Sequence, residues 1–212
     1  MASQFDNEAP AGIVGRAKRI ILQPRAEWAR IDSEPMTVRG IMTGWVLPLA
    51  AIGPIARLIG SQVFGYGFLG LHYRPSIGSA VTTAVLGYIS AIIATWVLAL
   101  VIDALAPSFG GTKNSVQAMK VAAYSATAGW LAGIFGLIPT LAFLGLLGLY
   151  SLYLLYLGLP LLMKSPTEKA LGYTIVTIIV AVVLFVVAGM VTAALSSAFV
   201  PAPSLLGGTI TG

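Results

Sequence analysis

The sequence predicts an all-α, polytopic transmembrane helical bundle with five spans, preceded by a short interfacial amphipathic helical segment. Three observations carry this expectation. Thr37–Gly60, Ile77–Leu105, Val116–Ile138, Leu141–Met163 and Ala170–Val200 are five long apolar stretches separated by short connections. Crossing a bilayer core of about 30 Å takes roughly 20 helical residues, so each stretch is long enough. Hydrophobic residues make up 58% of the 212 and charged residues only 9%, far from the roughly one-quarter charged makeup of soluble domains. The basic residues fall almost entirely on alternate connections.

That charge placement sets the expected topology. Arg16, Lys18, Arg19, Arg25, Arg30 and Arg39 precede or open the first stretch, Lys113 and Lys120 flank the next inner connection, and Lys164 and Lys169 flank the last. Arg74 alone falls on the opposite side, and Arg57 lies within a span. Cytoplasmic connections carry the excess of Lys and Arg, which places the N-terminus inside and the C-terminus outside. The same placement accounts for the net charge of +5 without a nucleic-acid partner. The expected organisation is a cytoplasmic segment over 1–36, a membrane domain over 37–200 and a short flexible external tail over 201–212. The polar, acid-containing first 36 residues do not match a cleaved signal peptide.

The elements follow in order. Over Ile13 to Ile31, Ile13, Ala17, Ile20 and Ile21 oppose Arg16, Lys18, Arg19 and Arg25, and Pro24 divides the segment into two short helices. Their expected place is the inner leaflet surface, with the basic side chains near anionic headgroups and Trp28 at headgroup depth; docking on the inner ends of the spans is the alternative. The first span should kink at Pro48 and Pro54, and Pro160 should bend the inner end of the fourth. The aromatic-rich connection Ser61 to Ser76 suits the outer headgroup region, and Pro139–Thr140 an external turn. In the second span Ser79, Thr83, Gly87, Ala91, Thr95, Ala99 and Asp103 recur every four residues, a stripe of small side chains that lets helices approach closely. Gly129 and Gly133 in the third span offer a partner for it, with Ala188, Thr192 and Ser196 in the fifth.

Chemistry is sparser. Asp103 and Arg57 are the ionised residues placed inside spans, and an intramembrane charge is a functional candidate by default. Asp103 lies near the inner end of its span, within reach of Lys113 or Lys120, and Arg57 near the outer end. No cysteine is present and His72 is the single histidine, so thiolate chemistry and Cys-based metal sites are excluded. Gly65-Tyr66-Gly67 and Gly110-Gly111-Thr112-Lys113 are incomplete phosphate-loop fragments. No enzyme activity, cofactor or metal is expected.

The order of several segments resembles a known family. Ile21-Leu22-Gln23-Pro24 followed by Glu27-Trp28 and Ile31, then Val46-Leu47-Pro48-Leu49-Ala50-Ala51-Ile52, is similar to the bacterial branch of the Ypt-interacting protein (Yip) domain family. Gly110-Gly111 leading to Gln117 and Val121-Ala122-Ala123-Tyr124-Ser125, then Tyr153 to Gly158 before Lys169-Ala170, extends the likeness across nearly the whole chain. The resemblance implies a five-span helical membrane domain with a cytosolic N-terminus. It also implies an interaction role, since eukaryotic relatives bind small GTPases and are linked to trafficking and membrane shaping. The N-terminal segment lacks their acidic, aromatic Asp-Leu-Tyr-Gly-Pro element, so GTPase binding is not carried over. The expected function is a non-enzymatic membrane protein acting through lipids, other membrane proteins or self-association. A channel or transporter built on the kinked first span and Asp103 is the alternative, and a lipid-modifying membrane enzyme ranks last.

Overall fold

A computed structural model describes residues 12–68 and 71–199, and these are helical apart from one small hairpin. The tail from 201 lies outside the described residues. Helix α1 (Ile13–Leu22) ends where Gln23 donates its N–H to the Arg19 carbonyl, and Pro24 opens α2 (Pro24–Ser33) at the position where a missing N–H costs nothing. The first span, Val38–Val63, comprises α3 (Val38–Ile41), a π turn (Met42–Val46), α4 (Leu47–Ala50) and α5 (Ile52–Val63). Its irregularities sit at the two prolines. Pro48 has no N–H for the Gly44 carbonyl, and the π turn widens the ladder immediately before it. The break at Ala51 precedes Pro54.

Strands β1 (Tyr66–Phe68) and β2 (Leu71–Tyr73) form the connection after the first span, paired antiparallel with Tyr66 opposite Tyr73. Gly65 enters it with φ of +67°, and a side chain there would lie 3.1 Å from the Tyr73 carbonyl oxygen. Helix α6 (Ile77–Leu105) is 29 residues long and is capped by the Ser76 hydroxyl. Asn114 caps α7 (Ser115–Ser125), which breaks at Ala126 before α8 (Thr127–Ala132) and a 3₁₀ turn over Gly133–Leu137. A 3₁₀ run (Pro139–Leu149) continues into α9 (Tyr150–Leu162), and α10 (Thr167–Phe199) completes the described chain.

Among the described residues, four helices are long and apolar enough to cross a membrane: Val38–Val63, Ile77–Phe109, Pro139–Leu162 and Thr167–Ala198. The sequence had suggested five. The difference is the segment expected over Val116–Ile138, which is broken at Ala126 and carries Gln117, Lys120 and Thr127. Its surroundings explain its polarity: Ala118 to Ser125 are buried without interruption, so this stretch faces protein on every side and needs no lipid-compatible face. The core forms around it, with Ile20, Trp28 and Ile31 from α1 and α2, Trp45 and Val46 from the first span, Ile102 from α6, and Leu154 and Leu159 from α9.

On α6 the exposed residues Ile77, Val81, Val85, Ile89 and Ile93 also recur every four residues. They are displaced by two positions from the small-residue stripe, about 200° around the helix, so the two stripes lie on opposite sides of α6. The stripe meets two neighbours. Thr95 and Ala99 are buried in the half that faces α7, while the Thr83 hydroxyl donates to Ser196 (3.2 Å) and Ser90 lies 3.1 Å from Thr192 on α10. Nothing lies within 4 Å of where a Gly87 Cβ would sit. The tight glycine contacts are elsewhere: Gly133 meets Gly53, Gly60 meets the carbonyls of Gly136 and Leu137, and Gly129 meets Gly148. Thus Gly129 and Gly133 serve the spans Pro139–Leu162 and Val38–Val63 rather than the stripe of α6.

Candidate functional site

Helices α1 and α2 carry charges of both signs within a short stretch, and the Gln23–Pro24 break folds one against the other. That fold carries Arg16 and Arg19 onto Glu27, whose side chain is 1% exposed. Arg19 donates to Glu27 through Nε (2.7 Å) and Nη2 (3.3 Å), and Arg16 Nε lies 3.4 Å from the same carboxylate. Arg16 also pairs with Glu34 and donates to the Tyr124 hydroxyl (3.1 Å). Burial disfavours the Arg16 cation, yet the bonds to Glu34 and Tyr124 outweigh it and hold the guanidinium above its ordinary pKa. The same group lies 5.8 Å from the Tyr124 ring centroid, within cation–π range.

The second half of the clasp comes from α7. Lys120 is 2% exposed, and its ammonium donates to the carbonyls of Ile31 and Glu34, both at 2.7 Å, with the Asp32 carbonyl at 3.5 Å. These carbonyls lie at or just beyond the end of α2, where partial negative charge and unsatisfied acceptors accumulate. Gln117 donates to the Asp32 side chain (3.0 Å), and Lys164, after α9, bonds the other Asp32 oxygen at 2.5 Å. The clasp therefore joins the N-terminal segment, the start of α7 and the segment after α9.

Aromatic packing lies beneath it. Trp45 and Tyr124 rings are 4.7 Å apart, Trp28 approaches Tyr124 edge-on at 6.4 Å, and the Tyr150 hydroxyl donates to the Ile21 carbonyl at 3.0 Å. Trp28, expected at headgroup depth, is fully buried against Gly158, because the bare glycine backbone admits the indole ring. A Cβ at Gly158 would fall 2.5 Å from that ring. Gly158→Ala is expected to lift α2, cost about 1–3 kcal/mol by overpacking and raise amide exchange over α2. Unchanged exchange there would show that the indole is not seated on the glycine.

The remaining expected residues lie outside the clasp. Lys18 and Arg25 are exposed on the outer side of α1 and α2. Asp103 is half-buried beside Tyr173, whose hydroxyl donates to the Ile102 carbonyl, and its Oδ1 has no hydrogen-bond partner among the described residues. Lys120, considered as its partner from sequence, is instead committed to α2. Arg57 is exposed with its aliphatic stem against Gly136. Gly129 donates its N–H to the Ser151 hydroxyl at 2.9 Å, and the Thr95 hydroxyl donates to Ala91 O at 2.8 Å. Sequence reasoning passed over Glu27, Asp32, Glu34, Gln117 and Tyr124. The available signal was Lys120 in an otherwise apolar run, together with balanced charges on two short adjacent helices. Among the described residues no group of three or more His, Asp or Glu side chains could hold a metal ion.

The chain matches the family model of the Yip1 domain over residues 18–190. No curated protein and no solved structure matches it.

Proposed function

The chain belongs to the Yip1 domain family, and from that membership we propose a non-enzymatic multi-pass membrane protein that acts by contacting lipids or other membrane proteins. The observation that carries this reading is the clasp: α1 and α2 are built into the bundle through Trp28, Glu27 and Lys120. Their outer side still presents Val14, Lys18, Leu22 and Arg25. A helix pair held rigidly from within, apolar and basic without, is suited to a membrane surface or a membrane partner. The test compares native-membrane lipid discs of the parent chain with Val14→Glu/Leu22→Glu. Loss of a co-isolated protein or anionic lipid, with unchanged melting, is the expected result. An unchanged complement would sink the reading.

The same proposal places the protein in a bacterial inner membrane with the N-terminus inside, and makes Ser115–Leu137 a fifth crossing, enclosed by protein over Ala118–Ser125. With α7 and α8 at 1.5 Å per residue and the 3₁₀ turn at about 2 Å, this stretch spans roughly 35 Å. Lys113 and Thr140 should then lie on opposite faces. Because the chain has no cysteine, Thr140→Cys and Lys113→Cys each supply a single reporter thiol. An impermeant maleimide added to intact cells should label the first and not the second. Equal labelling would remove the fifth crossing and return the C-terminus to the inside.

The unpartnered Oδ1 of Asp103 is the one observation that favours a transporter. Asp103→Asn in proteoliposomes is expected to leave ion flux at the level of protein-free vesicles, as for the parent chain. A flux in the parent that this substitution abolished would replace the interaction reading.

A further inference from the structure

The clasp uses two of the three basic side chains on α1. Arg16 and Arg19 turn toward Glu27 and Glu34, whereas Lys18 is exposed and joins no ion pair among the described residues. Lys18 stands at the rim of a groove of about 430 Å³ between α1 and the bundle. One wall is Ile13, Ala17 and Ile21 from α1, and the other is Leu49, Ile52 and Leu131. Every lining side chain other than Lys18 is apolar. Leu49 and Ile52 lie at the middle of the first span, Val38–Val63, so the groove is open at the depth of lipid hydrocarbon.

We propose that this groove holds one acyl chain of an anionic phospholipid from the leaflet facing α1, with its phosphate on the Lys18 ammonium. The lining matches the two ends of such a molecule, hydrocarbon against Leu49, Ile52 and Leu131, and an uncompensated cation at the mouth. A lysine stem extends along apolar surface and carries its charge to the headgroup layer, which gives Lys18 the reach the site needs. The inference rests on the proposal above that α1 lies at the cytoplasmic interface, and it adds a lipid class and a seat.

The test uses the full chain in lipid discs of phosphatidylglycerol and phosphatidylcholine, with a trace of either lipid carrying a diazirine in its acyl chain. Adducts are mapped on α1 and Leu131, and on the exposed α10 residues Val182 and Phe185 as a record of bulk lipid. Phosphatidylglycerol adducts on α1 and Leu131 should exceed those on α10, and phosphatidylcholine adducts should not. Lys18→Gln should reduce the α1 adducts by about fivefold, the contribution of one lysine near an anionic surface, and leave α10 unchanged. Leu131→Trp, which fills the groove, should do the same. Equal adducts on α1 and α10, or no response to Lys18→Gln, would overturn the site while leaving the membrane reading intact. Disulfide-free dimers with α1 unlabelled and α10 labelled would give the groove to a second copy and also overturn it. Absence of adducts on α10 as well would overturn the membrane placement itself.

Discussion

Lys120→Met is expected to release α2, and with it α1, from the bundle while the spans remain associated. The parent ammonium makes two bonds of 2.7 Å to the carbonyls of Ile31 and Glu34 in a site only 2% exposed to solvent. Hydrogen bonds from a charged group contribute about 1.5–3 kcal/mol each, and acceptors left buried without a donor carry a further cost. Methionine preserves the stem's packing, so its effect isolates the bonds. Removing the cation also removes a desolvation cost, which leaves an expected net loss of about 3 kcal/mol. The measurement is amide exchange over Pro24–Glu34 together with trypsin cleavage after Arg25 and Arg30. Both should accelerate, whereas exchange in α10 should stay the same. Lys120→Arg should recover part of the protection, because it restores donors but places them on a broader, planar group. Exchange and cleavage indistinguishable from the parent would show that α2 is held by Trp28 and the ion pairs alone.

Gly60→Ala should be the most disruptive single methyl group in the first span, and Gly87→Ala one of the mildest. At Gly60 a Cβ would lie 2.6 Å from the Gly136 carbonyl oxygen and 2.8 Å from the Leu137 carbonyl carbon. These are backbone atoms of the turn over Gly133–Leu137, so no side-chain rotation can make room. The helices must separate, which costs about 3 kcal/mol at the upper end of overpacking. Gly87 has nothing within 4 Å of the same hypothetical atom, and alanine there gains up to about 1 kcal/mol of helix propensity. Thermal unfolding of the two variants in the same detergent should move in opposite directions. A Gly60→Ala variant as stable as the parent would contradict the close approach of the first span to the Gly133–Leu137 turn.

The contrast between these glycines shows what was readable in one dimension. The four-residue spacing from Ser79 to Asp103 placed those residues along one side of α6, because helical periodicity alone relates those positions. The same spacing could not say which glycine touches another backbone. Gly87 lies in the longest regular pattern and meets open space, while Gly60 lies in no pattern and meets two carbonyls. Close approach depends on where two helices cross, and that crossing is a property of pairs distant in sequence. Pro48 and Pro54, by contrast, marked the irregularities of the first span from local chemistry alone, since a missing N–H acts within one turn.

Trp28 and Lys120 mark the boundary most clearly. An aromatic residue beside basic ones on a short helix is locally equivalent at a headgroup and in a core, and only the bare backbone of Gly158, 130 positions away, seats the indole. Lys120 follows the same logic: its burial is tolerable because α2 ends where its ammonium can reach two carbonyls. By itself the sequence determined the membrane class, the helical composition and the limits of the long apolar helices, because transfer free energy and helix periodicity are local sums over residues. Only the tertiary structure decided that Ala118–Ser125 is enclosed by protein, that α1 and α2 belong to the bundle, and which charges satisfy one another, because desolvation is offset only by partners that folding brings within hydrogen-bonding distance.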